Sequence, residues 1–183
     1  LALGCWLGRM LPFEGKELEG IYSGIDYLRR FHTDEEIIKG KHYIVIGAGN
    51  VAMDCARSAL RTGAESVDLL FRFSRDLMEA NAHEIIDAET EGVGMHCLVS
   101  PMKFIGESGK LTGIQVQDVT LKQNPGGLPD CIPVEGTVRV IPCDIVIQAV
   151  GQGADLDAIV EADGLEKTRF STIDANEETL ETN

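Results

Sequence analysis

Apolar positions along the chain change their period at definite points, and each change marks an element. Residues 43–46 (YIVI) form a short apolar run followed by glycine, the signature of a buried strand. Directly afterwards the period becomes four. Val51, Cys55 and Ala59, flanked by Ala52, Ala56 and Leu60, line one side of a helix predicted over 51–62, which Gly63 stops. Residues 67–72 (VDLLFR) read as a second strand, and 79–91 as a second helix closed by Gly92. Upstream, Ile25, Leu28 and Phe31 are spaced for one face of a short helix over 23–31. Residues 1–20 read as a connector punctuated by Pro12, Gly15 and Gly20, after a first strand that stops at Gly4.

Strand, helix, strand, helix over 43–92 implies a parallel sheet with right-handed crossovers. From Met95 the pattern changes. Segments 95–99, 102–106, 111–121 and 137–143 alternate or run apolar between Gly- and Pro-containing turns, which predicts an antiparallel insertion. Residues 145–150 (IVIQAV) again read as a buried strand, ending at Gly151, and a polar tail with a helix over 156–162 follows. The expected fold class is α/β: a Rossmann-like parallel sheet with helices on both faces, plus an antiparallel β insertion.

The junction between the first strand and its helix carries the chemistry. Gly47, Gly49 and Ala52 make G-x-G-x-x-A. Gly47 permits the tight turn out of the strand, Gly49 lets a pyrophosphate approach the backbone, and Ala52 lets the helix lie close to the strand. The N–H groups of Asn50 and Val51 have no intrahelical acceptors and point, with the helix dipole, at a bound anion. The pattern therefore predicts a FAD/NAD(P)-binding domain. About 20 residues past Gly49 the second strand ends, where a ribose-binding Asp or Glu marks NAD or FAD and an Arg marks NADP. The residues there are Arg72, Phe73, Ser74 and Arg75, and Asp68 comes too early. Arg72 and Arg75 offer charge-assisted hydrogen bonds of roughly 1.5–3 kcal/mol each, which points to NADP(H). Gly151-Gln-Gly153 also follows a strand, but Leu156 at the third small position would hold a helix away. That segment reads as a strand turn.

Composition narrows the picture. The chain has 183 residues, 44% apolar and 25% charged, ordinary for a globular protein, with no apolar run near membrane length. A net charge of −14 repels nucleic acid and acidic membrane surfaces, so neither is expected as a partner, and it suits a cytoplasmic enzyme. The five cysteines include no C-x-x-C pair and the four histidines no H-x-x-x-H, so neither a disulfide framework nor a metal site is expected. Cys55 and Cys97 read as small core residues. Glu84, Asp87, Glu89 and Glu91 read as a solvated helix face. The chain opens on Leu1-Ala-Leu rather than Met, which reads like the inside of a strand and suggests an excised piece.

Residues 47–54 (GAGNVAMD), 56–64 (ARSALRTGA), Phe71, Arg72, Ser74, Arg75, Met78 and 88–93 (AETEGV) resemble the family of the small (beta) subunit of glutamate synthase. Related NADPH-dependent flavoproteins, including the N-terminal part of dihydropyrimidine dehydrogenase, share the pattern. Residues 144–152 (DIVIQAVGQ) resemble that family's return crossover, and 1–4 (LALG) its outward one. The resemblance implies an NADPH domain inserted in an FAD domain. Residues 1–20 would leave the FAD domain, 21–150 would bind NAD(P)H, and 151–183 would return, with Gly151 among the cofactor-binding residues. It further implies an FAD turn and cluster-binding cysteines before residue 1, electrons passing from NADPH to FAD and on through iron–sulfur clusters, and a large catalytic subunit as a partner. Many relatives carry two consecutive basic residues at the strand end, where this chain has Arg72 and Phe73. That keeps an NADH-using member open. Hydride transfer is cofactor chemistry, so no catalytic acid, base or nucleophile is expected in the chain, which by itself should be inactive. A non-catalytic nucleotide-binding or docking module is the other reading.

Overall fold

The computed structural model describes residues 4–33, 38–156, 164–168, 172–176, 178–179 and 181–182. In chain order the elements are β1 (Leu7–Gly8), β2 (Ile21–Ser23), α1 (Gly24–His32), β3 (His42–Ile46), α2 (Asn50–Arg61), β4 (Ser66–Phe71), α3 (Ala82–Glu91), β5 (Gly94–Cys97), β6 (Val99–Glu107), β7 (Lys110–Lys122), β8 (Asp130–Pro133), β9 (Arg139–Pro142), β10 (Ile145–Gln148) and β11 (Gln152–Gly153). The expected strands at 1–3 and helix at 156–162 lie outside the described residues, apart from Leu156, which is buried.

A five-stranded sheet in the order β2-β10-β3-β4-β5, parallel throughout, forms the centre. Each step from β2 to β3, β3 to β4 and β4 to β5 moves the same way along the sheet. Right-handed crossovers therefore place α1, α2 and α3 on one face. There Tyr43, Val45, Leu69 and Ile147 pack against Tyr27, Ala52, Cys55, Ala56, Ile85 and Ala88. The chain returns from β5 to β10 in the opposite direction, and the same handedness puts that connection on the other face. It is the antiparallel sheet: β6 and β9 flank β7, and β8 pairs the far end of β7. Ile44, Ile46, Leu70 and Val146 meet Phe104, Ile114 and Val116 there. Helices on both faces were expected. The described helices all lie on one face and antiparallel strands cover the other.

The sequence boundaries need further correction. Residues 95–99 were assigned to the insertion, but Gly94–Cys97 is a parallel edge strand, with Leu69 opposite Met95. Four residues are too few for their period to distinguish the two. The second predicted helix begins at Ala82 rather than 79, because a 3₁₀ turn at Arg75–Leu77 and the cap residue Asn81 come first. β2 and β8 were not predicted. Local stops behave as read: Gly63 and Gly92 both take positive φ just after their helices. α1 is capped by Ser23, whose hydroxyl accepts from the Asp26 N–H at 3.2 Å.

The carboxylates of α3 form an ion-paired seam rather than a simply solvated face. Arg57 on α2 reaches Glu84 at 2.6 Å, Glu91 at 2.8 Å and Asp87 at 3.3 Å. Cys55 is fully buried, whereas Cys97 is half-buried.

Candidate functional site

β10, β3 and β4 present their carboxyl ends to one cleft of about 640 Å³, the position where open parallel sheets bind ligands. Gly47, Gly49, Asn50 and Val51 form one wall and Arg72 and Phe73 another, with Gln148, Gly151 and the connector residues Arg9 and Leu11 opposite. Ala52 lies beneath this wall, fully buried, where its small side chain lets α2 sit against the sheet.

The two turn glycines differ in what surrounds them. Gly47 has φ 129° and faces the carbonyl of Ala149, which occupies the place of a side chain. Gly49 has φ −90° and serves as the N-cap of α2, yet a Cβ there would meet nothing within 4 Å. The protein's own packing does not demand glycine at 49, and the space before it is open to a ligand. α2 carries no acidic residue in its first turn, so no side chain of that turn offsets its positive end. The turn is braced from the side: Asn50 Oδ1 accepts from the Asn81 N–H at 2.9 Å, and the Ala48 carbonyl accepts from the Ala80 N–H at 3.0 Å. A pyridine nucleotide fits this donor set: an open glycine backbone, uncapped N–H groups and an arginine one strand away.

The predicted ribose residues part company. Arg72 follows β4, lines the cleft, and rests its guanidinium 4.8 Å from the centroid of the Phe73 ring. Among the described residues no carboxylate pairs with it. Phe73 itself is buried, edge-on to Phe71 at 5.5 Å. Arg75 sits in the 3₁₀ turn, does not line the cleft, and forks onto both carboxylate oxygens of Glu89. That contact holds the Glu89 carboxyl below its usual range and raises the Arg75 guanidinium. Gly151, at φ 111°, closes the cleft edge and accepts from the Arg9 N–H at 3.0 Å, beside the β1–β11 pairing.

Sequence reasoning missed four contributors. Arg9 and Leu11 enter the cleft from a connector without periodicity, so no local signal marked them. Glu79 lines the opposite rim. Gln148 had a signal: it is the polar residue in the apolar run IVIQ, and it is 1% exposed. Its Oε1 accepts from the Leu11 N–H at 2.7 Å. Among the described residues no cluster of His, Cys, Asp or Glu is arranged to hold a metal ion, and no helix is long and apolar enough to cross a membrane.

The chain is 43% identical over 166 residues to the NADP(+)-dependent formate dehydrogenase subunit beta of Moorella thermoacetica, covering 89% of this chain and 23% of that protein. It is 30% identical over 203 residues to the glutamate synthase [NADPH] small chain of Azospirillum brasilense, covering 100% of this chain and 41% of that one. The chain thus spans from about a quarter to under half the length of these relatives. In structure it is similar to Mycobacterium tuberculosis FprA in complex with NADPH, with a TM-score of 0.74 at 18% identity over 93% of this chain and 52% of that one, which shows a shared fold. The model of the pyridine nucleotide-disulphide oxidoreductase family matches residues 1–183, and the chain, with its relatives among NADPH-dependent oxidoreductases, belongs to that family.

Proposed function

We propose that this chain is the NADP(H)-binding part of a flavin-dependent oxidoreductase that passes hydride from NADPH to FAD. The observation that carries the reading is Arg72, unpaired by any described carboxylate, at the end of the strand beside the Gly47–Gly49 turn. The N–H groups of Asn50 and Val51, with Ala52 beneath them, would hold the pyrophosphate, and Arg72 would take the 2′-phosphate. Arg75 is a second cation for that phosphate once it exchanges Glu89 for it. Gly151 bounds the other end.

A flavin, when bound, supplies the two-electron acceptor chemistry. The residues of this chain bind and orient the nicotinamide and keep water from it. Residues 1–20 and 151–183 are then the outward and return crossovers of the FAD domain, and 21–150 the nucleotide domain. The antiparallel β1–β11 pair supports a joint between them. Exposed Trp6, Leu7 and Met10 beside the cleft support an apolar partner surface there. The FAD site and the iron–sulfur clusters that carry electrons onward belong to the remaining length of a longer chain, and a large catalytic subunit is its partner, in a cytoplasmic enzyme. The chain alone binds nucleotide without turnover.

Calorimetric titration of the full chain with NADPH and NADH tests the reading. Tight NADPH binding and NADH binding weaker by 10-fold or more is expected. Equal affinities favour the NADH-using reading, which the burial of Phe73 and the Arg75–Glu89 pair support, since Arg72 then discriminates alone. Binding of neither nucleotide would overturn both.

A further inference from the structure

We propose that Gln148 holds the carboxamide of the nicotinamide ring, donating from its side-chain nitrogen to the carboxamide oxygen. The proposal rests on the nucleotide reading above and adds a residue for the half of the dinucleotide that the glycine turn and Arg72 do not touch.

Three observations lead there. The amide's orientation is determined by its surroundings, because Oε1 accepts from the Leu11 N–H at 2.7 Å. Turned around, the amide would set donor against donor. Nε2 is therefore the other end, and it is buried with no partner among the described residues. A buried amide donor without an acceptor is unfavourable, and a strand buried on both faces would otherwise carry an apolar residue.

Position supplies the ligand. β10 borders β3 on the side opposite β4, with Gln148 in register with Ile46 on β3. A dinucleotide that crosses the turn after β3 and places its 2′-phosphate after β4 extends its other half over the end of β10. Gln148 lines the cleft at that point, beside Ala149 and Gly151. The group at the end of that half that can accept from an N–H is the carboxamide oxygen. The Leu11 hydrogen bond is the pivot: Oε1 stays on Leu11 while Nε2 turns from the cleft wall to the ring. Because Leu11 belongs to the connector, ring binding and connector position are coupled through one side chain.

The test titrates the full chain with two ligands, NADPH and 2′-phospho-ADP-ribose, which lacks the nicotinamide. Gln148→Glu keeps an acceptor for the Leu11 N–H and removes the donor. Gln148→Met keeps the volume and removes both. Each variant is expected to weaken NADPH by about 5- to 10-fold, as for loss of one hydrogen bond, and to leave 2′-phospho-ADP-ribose within about 2-fold. Unchanged NADPH affinity in both variants, or equal losses for the two ligands, would overturn the role of Gln148 while leaving the nucleotide reading intact. A parent chain that binds neither ligand would overturn both.

Discussion

The carbonyl oxygen of Ala149 stands where a side chain on Gly47 would have to be. This contact joins the ends of β3 and β10, and it makes the first glycine of the turn a structural requirement. Gly49, two residues on, has no such neighbour, so the two positions are separable by experiment.

Gly47→Ala should cost about 2 kcal/mol or more in denaturant unfolding, from the clash and from φ 129°. Gly49→Ala should change stability by less than about 1 kcal/mol yet reduce NADPH binding at least tenfold, because its methyl enters the space of the pyrophosphate. Loss of stability in Gly49→Ala comparable to that in Gly47→Ala would contradict this division.

Arg72→Ala should weaken NADPH by about 10- to 100-fold, as for a charge-assisted hydrogen bond, and leave NADH nearly unchanged. Arg75→Ala should weaken NADPH less, since its guanidinium is already forked onto Glu89. Competitive titration of both variants measures the ranking, and a larger effect at Arg75 would reverse the proposed roles.

The seam between α2 and α3 should make the fold acid-sensitive. Hydrogen bonds from Arg57 to Glu91 and from Arg75 to Glu89 hold both carboxyls below their usual range. Lowered folded values mean that the stabilisation is present above the unfolded carboxylate pKa, near about 4.3, and is lost as pH falls through the folded values. The melting temperature should therefore drop below that pH, and Arg57→Ala should flatten the drop while lowering the neutral-pH value. An unchanged acid profile in Arg57→Ala would show that the seam does not carry it.

Thiol reactivity should follow burial. Burial pushes the Cys143 thiol up to about 12 and Cys55 higher still, whereas Cys5 is exposed. Iodoacetamide at pH 8 should label Cys5 first and reach Cys55 and Cys143 only after denaturation, as read by peptide mass spectrometry. Early labelling of Cys143 would contradict its placement under the antiparallel sheet.

The turn and its flanks were legible because their signals are local. The apolar run 43–46, the period-four face of α2 and the spacing of Gly47, Gly49 and Ala52 all act within about one element. The family resemblance includes this stretch, and the family match spans the whole chain. The fate of Arg75 was not legible. Its partner Glu89 lies 14 residues away on another element, and nothing in either residue's neighbourhood announces the pair.

Sequence alone determined that a parallel unit with a glycine-rich turn lies at residues 43–72, because backbone preferences and side-chain periodicity are properties of short segments. Tertiary structure decided the rest. The direction of chain return set which face carries helices and which carries strands. Strand pairing turned 94–97 into a parallel edge. A hydrogen bond spanning 137 residues set the amide of Gln148 at the cleft. Contacts between distant residues depend on where each segment packs, and short-range pattern carries no record of that.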